Sequence, residues 1–383
     1  MPVPTSLVLR ARLFEWYAKH AWRFHRPFAR RHLRRRCRNC IVSEAYSALN
    51  PTGLCQLCIT YAPDKEVAGF QAREGLAAKL DELFRQHQGK GAGLYDAAVM
   101  LSGGKDSALL IHELKERYPS LRLVALTIDN SFMSPVALEN ARQSVEKLNV
   151  DHITLRLAQS VYRKSFRFAC LLLEPGRGCF ETVDRIDADL GFSQAKIFAA
   201  ENRIPLLLSG LSWAQIERLF GVESFEVPHD QALSKVTSTL GTPLGDIYDP
   251  PEMKYWWDPA RFPEESWPRF IHPFYVWRQG EEEIKNKVIE LGLIEPGNES
   301  PLLTNNVIIP LMIVVDYLRL GYASFEPEFA QLVREGKASR GFWRNVFEML
   351  EYSARTGWML DKELDKLAKS LDLTRGEIGL TRH

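Results

Sequence analysis

A chain of 383 residues can bury a large core and hold two or three structural units. Its 45% hydrophobic and 25% charged residues are ordinary for a globular protein, and six cysteines over this length exclude a disulfide-held scaffold. The net charge of +1 averages over a strongly basic N-terminus. The N-terminus lacks the apolar core and cleavage pattern of a secretory signal. The most apolar run, Val307 to Val315, is interrupted by Pro310 and too short to span a bilayer. These features predict a cytoplasmic protein that can also sit peripherally on a membrane.

Residues 1–36 carry ten Lys and Arg side chains against one acid, Glu15, with Leu9, Leu13, Trp16, Tyr17, Phe24 and Phe28 interleaved. A basic, aromatic, helix-prone arm can contact an anionic membrane surface or RNA, or it can pack its aromatics on the body and solvate its arginines.

Cys37-Arg38-Asn39-Cys40 and Cys55-Gln56-Leu57-Cys58 form two C-x-x-C knuckles in a module spanning 37–65. Two thiolates three residues apart in a turn can face one metal, and two such turns complete a tetrahedron. Structural Zn²⁺ is the expected occupant, with an iron–sulfur cluster as the alternative four-thiolate ligation.

Residues 66–87 have apolar spacing that predicts a helix, and a glycine-bearing linker at 88–93 follows. Next comes Tyr95-Asp-Ala-Ala-Val-Met-Leu-Ser-Gly-Gly-Lys-Asp-Ser107, the most informative stretch of the chain. Ala97 to Leu101 reads as a buried strand, and Ala108 to Ile111 opens an amphipathic helix. A glycine turn between such a strand and a helix N-terminus gathers backbone N–H groups around one point, where phosphate oxygens are the natural guest. Gly103 and Gly104 allow close approach, Lys105 offers a charge, and Ser102 and Ser107 offer hydroxyls.

Further strands are expected at 121–128, 152–155 and 204–210, with helices at 135–148 and 192–202. This alternation over 66–221 predicts an α/β fold, a parallel sheet with helices on both faces. Ligands of such sheets lie at the strand carboxyl ends, which places Leu101 to Ser107, Asp129 and Ser209-Gly210 together.

Cys179 follows a glycine turn and lies near Arg177 and Arg185, so it is a candidate sulfur carrier; Cys170 lies in an apolar run. The nearby acids Glu181, Asp184, Asp187 and Asp189 could form a magnesium or substrate site, or a solvated helix face. Residues 222–280 are rich in proline and aromatics and read as a lid or insertion. Residues 281–383 read as mostly helical.

The Ser102-Gly103-Gly104-Lys105-Asp106-Ser107 loop resembles the SGGxDS loop of the N-type ATP pyrophosphatases, the PP-loop superfamily with its adenine nucleotide alpha hydrolase-like fold. With the cysteine knuckles upstream and the segments 272–294, 300–306 and 329–341 downstream, the chain looks most like the N-acetyl sugar amidotransferases of surface-polysaccharide biosynthesis. That resemblance implies ATP and Mg²⁺ as cofactors. It also implies adenylation of an acetamido oxygen on a nucleotide-linked sugar, and a separate glutaminase subunit that supplies ammonia. Lys105, Asp106 and Ser107 would then be catalytic, and Leu101, Ser102, Gly103, Gly104, Asp129, Ser209 and Gly210 would bind ATP alongside them. The tRNA thiolases share the activation step and insert sulfur instead, and a non-catalytic nucleotide-binding protein would bind ATP without turnover.

Overall fold

The computed structural model describes residues 5–62, 75–171, 178–228, 243–277, 280–304, 306–359 and 361–379. In chain order the helices are α1 (Thr5–His20), α2 (Trp22–Ala29), α3 (Gln56–Ile59) and α4 (Ala77–His87). Then follow β1 (Ala97–Met100), α5 (Lys105–Arg117), β2 (Leu123–Asp129), α6 (Pro135–Leu148) and β3 (Asp151–Arg156). Next are α7 (Gln159–Leu171), α8 (Cys179–Glu201), β4 (Leu206–Leu208), α9 (Trp213–Phe220), β5 (Glu226–Val227) and β6 (Arg269–Ile271). The chain closes with α10 (Glu281–Glu290), α11 (Pro301–Thr304), α12 (Ile309–Arg319), α13 (Glu326–Arg334), α14 (Arg340–Thr356) and α15 (Asp361–Ser370).

Two compact units result, each made from separated stretches of chain. One comprises Met1–Lys65, Arg163–Asp184 and Asn306–His383; the other comprises Glu66–Tyr162 and Arg185–Asn305.

The second unit is built on a six-stranded sheet in the order β3-β2-β1-β4-β6-β5, parallel throughout except for the antiparallel β5 edge. The pleat sends alternate residues to opposite faces. Ala97 and Val99 of β1 face a core shared with Leu80 of α4, Leu109 of α5, Val145 of α6 and Val288 of α10. Ala98 faces the other core, with Phe192, Ala195 and Ala199 of α8. Helices therefore cover both faces, as a sheet with apolar runs on each side requires. Strand order reverses between β1 and β4, and the crevice above their carboxyl ends is where such folds hold ligands. The proline-rich stretch after 222 contributes β5 and β6 to this sheet, and Trp256 and Trp257 within it are buried.

The first unit is helical and centred on α14. Trp22 of α2 is fully buried; its indole donates to Glu348 at 2.8 Å and its ring packs with Tyr352 and Trp358. Pro310 sits in the first turn of α12, where a missing N–H costs nothing, so the apolar run that it interrupts is a buried helix. Among the described residues no helix is long and apolar enough to cross a membrane.

Candidate functional site

The turn after β1 is shaped by what lies beneath it. Gly103 has φ +75°, and a Cβ on it would lie 1.9 Å from the carbonyl oxygen of Ala137 in α6. Only glycine satisfies both constraints. Asn140, fully buried in α6, holds the turn from below by donating to the Gly103 carbonyl at 3.1 Å and to that of Asn298 at 3.1 Å. Within the turn, the Ser107 hydroxyl donates to the Gly104 carbonyl at 3.0 Å and lies 3.2 Å from the Ser102 hydroxyl. The Ser102 amide donates to Ser107 Oγ at 3.3 Å. Gly104 is the N-cap of α5, so no side chain caps that helix. Its first-turn amides and dipole are turned toward the sheet's carboxyl edge, the arrangement that binds anions.

The turn after β4 meets this helix start. A Cβ on Gly210 would come within 3.1 Å of the Ser107 amide nitrogen and 3.2 Å of the Asp106 carbonyl carbon. The structure thus brings Leu101 to Ser107 and Ser209-Gly210 together. Leu101 is buried; its amide donates to Leu126 and its carbonyl accepts from Thr127 Oγ1 at 2.8 Å.

Ser209 has a deeper partner. Its Oγ lies 2.7 Å from Nδ1 of His272, which follows β6 and is fully buried. Burial first, and then the neighbouring Lys196 charge, pushes the His272 imidazole down to about 3, so the ring is neutral at physiological pH. Lys196 of α8 is itself fully buried; among the described residues its ammonium has no hydrogen-bond partner, and it lies 5.3 Å from the Phe270 ring centroid. Burial pushes it down to about 7.

Lys105 is held by two carboxylates, Asp106 at 2.9 Å and Glu281 at the start of α10 at 3.1 Å. Burial alone would lower its basicity, but the Asp106 and Glu281 charges outweigh it and the lysine stays protonated. Asp106 is therefore engaged by Lys105. Asp129 ends β2 with its side chain buried, accepting from the Ser131 amide at 2.8 Å and from Arg156 Nε at 2.7 Å. Asn130 donates to both oxygens of Asp187, at 3.0 and 2.9 Å, which occupies one of the acids considered for a magnesium site.

Asn140, Lys196, His272 and Glu281 do not stand out in the sequence. Asn140, Lys196 and Glu281 sit on ordinary helical patterns, and His272 follows a strand of only three residues. His272 and Glu281 fall within the segment 272–294 noted above, but nothing local assigns any of the four a role, because those roles depend on contacts between segments far apart in the chain.

The four cysteines converge in the first unit. Cys37, Cys40, Cys55 and Cys58 place their Sγ atoms within 4.8 Å of one another, with 3.7 Å between Cys37 and Cys58 and between Cys40 and Cys55. A tetrahedron with Zn–S bonds of about 2.3 Å has edges of roughly 3.8 Å, so one tetrahedral ion fits these sulfurs. A four-iron cluster binds each thiolate through a different iron and needs them further apart. Amides reach the sulfurs from Cys55 to Cys37 and from Val42 to Cys40, both at 3.4 Å, as a thiolate set requires. Burial pushes Cys55 up to about 11 and raises Cys40. Burial acts on Cys37 in the same sense, but the backbone amides of Cys55, Cys40 and Asn39 outweigh it and bring that thiol down to about 7. Arg340 of α14 donates to the carbonyls of Cys40 and Cys37, each at 2.8 Å, tying the knuckles to the helices. Arg36, just before the first knuckle, is buried between Glu326 at 2.9 Å and Glu351 at 3.1 Å.

Cys170 is buried in α7. Cys179 begins α8, and its side chain lies outside the described residues, as do those of Glu181 and Asp184.

No protein-family model matches the chain. An uncharacterized protein of Methanocaldococcus jannaschii is 25% identical over 117 residues, a match covering 26% of this chain and 42% of that relative's length. Among solved structures, the chain is similar to the U34-tRNA thiolase NcsA from Methanococcus maripaludis with its 4Fe-4S cluster, at 14% identity and TM-score 0.33, covering 80% of this chain and 87% of that one. It is similar to the NH3-dependent NAD synthetase from Campylobacter jejuni in complex with the nitrate ion, at 14% identity and TM-score 0.33, covering 71% and 96%. It is also similar to the NMN synthetase from Francisella tularensis, at 14% identity and TM-score 0.29, covering 64% and 99%. The strand order β3-β2-β1-β4-β6-β5, parallel up to its β5 edge, by itself gives this chain its α/β class.

Proposed function

We propose that this protein is an ATP-dependent ligase that splits ATP between its α and β phosphorus atoms. The observation that carries the reading is the Ser102–Ser107 turn, with its uncapped helix start, at the point where strand order reverses between β1 and β4. Amides of the turn and the α5 dipole would receive the phosphates, with the Ser102 and Ser107 hydroxyls as further donors. Gly210 packs against the first turn of α5, where a Cβ would crowd the Ser107 amide, and Asp129 ends the neighbouring strand β2, toward which the adenosine end would extend. Mg²⁺ would arrive with the nucleotide, bound to its phosphates.

The acceptor would be an amide or carbonyl oxygen, in this reading the acetamido group of a nucleotide-linked N-acetyl sugar. That oxygen attacks the α-phosphorus and the bond to pyrophosphate breaks. Ammonia from a partner glutaminase then adds at the activated carbon, AMP leaves with the oxygen, and a proton is released as the acetamidine forms. The turn's fixed donors would stabilise the charge that develops on the phosphates during the first step. Lys105, fixed by Asp106 and Glu281, would set the potential at the mouth of the turn and hold α10 against α5. The four cysteines would hold a structural Zn²⁺ that stabilises the knuckles and leaves no open coordination position for chemistry.

Base thiolation is the second reading, since it shares the adenylation step. The two are separated by screening pyrophosphate release with sugar nucleotides and with bulk tRNA, each with ammonium or sulfide. Release that depends on a sugar nucleotide and ammonium supports the amidotransferase; release that depends on tRNA and sulfide replaces it with the thiolase.

A further inference from the structure

The outward side of α1 and α2 is apolar where a solvated helix would be polar. Leu9, Leu13 and Trp16 recur at helical spacing and are 67%, 48% and 54% exposed; Phe24 and Phe28 are 66% and 81% exposed. These are five of the nine large hydrophobic side chains exposed on the described surface. On a helical wheel at about 100° per residue Leu9, Leu13 and Trp16 lie opposite Ala18 in α1, and Phe24 and Phe28 lie roughly 100–160° from Trp22 and Ala29 in α2, the residues that pack on the body. The two helices are therefore apolar on both sides, and among the described residues only one side has a protein partner.

Charge flanks that stripe. Arg10 lies on one side of it and Arg12 and Lys19 on the other, and Arg23 stacks over Phe24 at 4.6 Å. The lone acid, Glu15, is paired with Lys19 at 2.6 Å. Beside the stripe, Lys19, Arg23 and Arg26 with Arg340 and Arg344 line a cavity of about 410 Å³.

We infer that α1 and α2 form an interfacial anchor that lies in the surface of a bilayer containing anionic lipid, with Leu9, Leu13, Trp16, Phe24 and Phe28 immersed and the flanking cations on lipid phosphates. Aromatics interleaved with arginine also suit RNA, where bases stack on rings. The leucines decide between them: two aliphatic side chains share the stripe with Trp16, and aliphatic groups offer no stacking face but partition into hydrocarbon. A basic polar flank, an apolar outward stripe and an aromatic at its edge are the features of a helix lying in the interface plane. The anchor follows from the geometry and charge of this unit and does not depend on the ATP chemistry.

The test is co-sedimentation of the full-length protein with vesicles of phosphatidylcholine alone and of phosphatidylcholine with phosphatidylglycerol, across salt concentrations. The protein is expected to sediment with the anionic vesicles and far less with the neutral ones. The W16S/F24S/F28S variant should partition at least about tenfold more weakly, with an unchanged melting temperature because these rings are mostly solvent-exposed. The R10Q/R12Q variant should lose the preference for phosphatidylglycerol, and brominated lipid should quench the fluorescence of the wild type more than that of W16F. The inference is overturned if neither vesicle binds, or if binding is the same in the serine variant. It is also overturned if those substitutions abolish tRNA binding or self-association in a protein that ignores vesicles.

Discussion

Ser209 Oγ lies 2.7 Å from Nδ1 of His272, a ring with no exposed surface that the neighbouring lysine, Lys196, helps keep neutral. The hydroxyl thus has a fixed partner behind it, on the turn that meets the first turn of α5. Replacing His272 with phenylalanine removes that partner while keeping the volume. It should weaken nucleotide binding about tenfold through KM, leaving kcat for pyrophosphate release less affected. A kinetic comparison with Ser209→Ala, expected to show the same split, checks whether the two act together.

Lys196 gives a pH signature to stability. Its folded value of about 7 lies below the ordinary 10.5, so between those values the unfolded chain binds more protons than the folded one. Stability should therefore rise with pH across that window and be lowest below it. Lys196→Met removes the buried ammonium and its titration. Its unfolding free energy should be higher than that of the wild type at pH 7 by several kcal/mol, because a tenfold difference in proton affinity is worth about 1.4 kcal/mol. Its pH profile should also be flatter. Urea denaturation at two pH values, about 6.5 and about 9.5, placed below and within the window, measures both effects.

Gly103→Ala meets two obstacles at once, a left-handed backbone angle and a carbonyl oxygen 1.9 Å from the new carbon. The turn must move off α6 and away from the Asn140 amide that holds it. A loss of about 2–4 kcal/mol in stability is expected. Calorimetry should show loss of ATP binding in the fraction that remains folded. Gly191→Ala, with nothing near its added carbon, serves as the control.

Arg36 is buried between two carboxylates, Glu326 and Glu351, directly before the first knuckle. Arg36→Met would take from buried Glu326 the cation 2.9 Å away, while Glu351 keeps Arg355 at 3.1 Å, at a cost of about 3–5 kcal/mol. Thermal melting should show this loss. The R36M/E326Q variant, which removes the stranded charge as well, should recover part of it.

Removal of metal should act on stability before chemistry. The sulfurs of Cys37, Cys40, Cys55 and Cys58 are spaced for one tetrahedral ion. Elemental analysis of the purified protein should find about one zinc per chain. A strong chelator or Cys40→Ser should lower the melting temperature, because metal affinity is coupled to folding. Four irons with sulfide, and the visible absorption they bring, would replace zinc with a cluster.

The sequence carried the parts of this molecule that are local. A buried run, a double glycine and a helix start are adjacent in the chain, so the strand, the glycine turn and the helix could be read from Ala97 to Ile111 directly. The knuckles were legible for the same reason, since their chemistry is written in a spacing of three. The strand at Arg269–Ile271 was not, because three residues are too few to show a period and prolines surround them. Glu281, Asn140 and Lys196 gain their meaning from partners far away in the chain, at Lys105, Gly103 and Phe270. The outward aromatics of α1 and α2 were visible as composition, but which rings pack and which face solvent became clear only from their burial.

Everything proposed for the turn after β1 depends on which bond of ATP breaks. Incubating the full-length protein with ATP, Mg²⁺, an acceptor and ammonium, and resolving the products by phosphorus NMR, reads this directly. AMP and pyrophosphate in equal amounts are predicted, with both lost in Gly103→Ala. ADP and orthophosphate as the products would contradict the assignment.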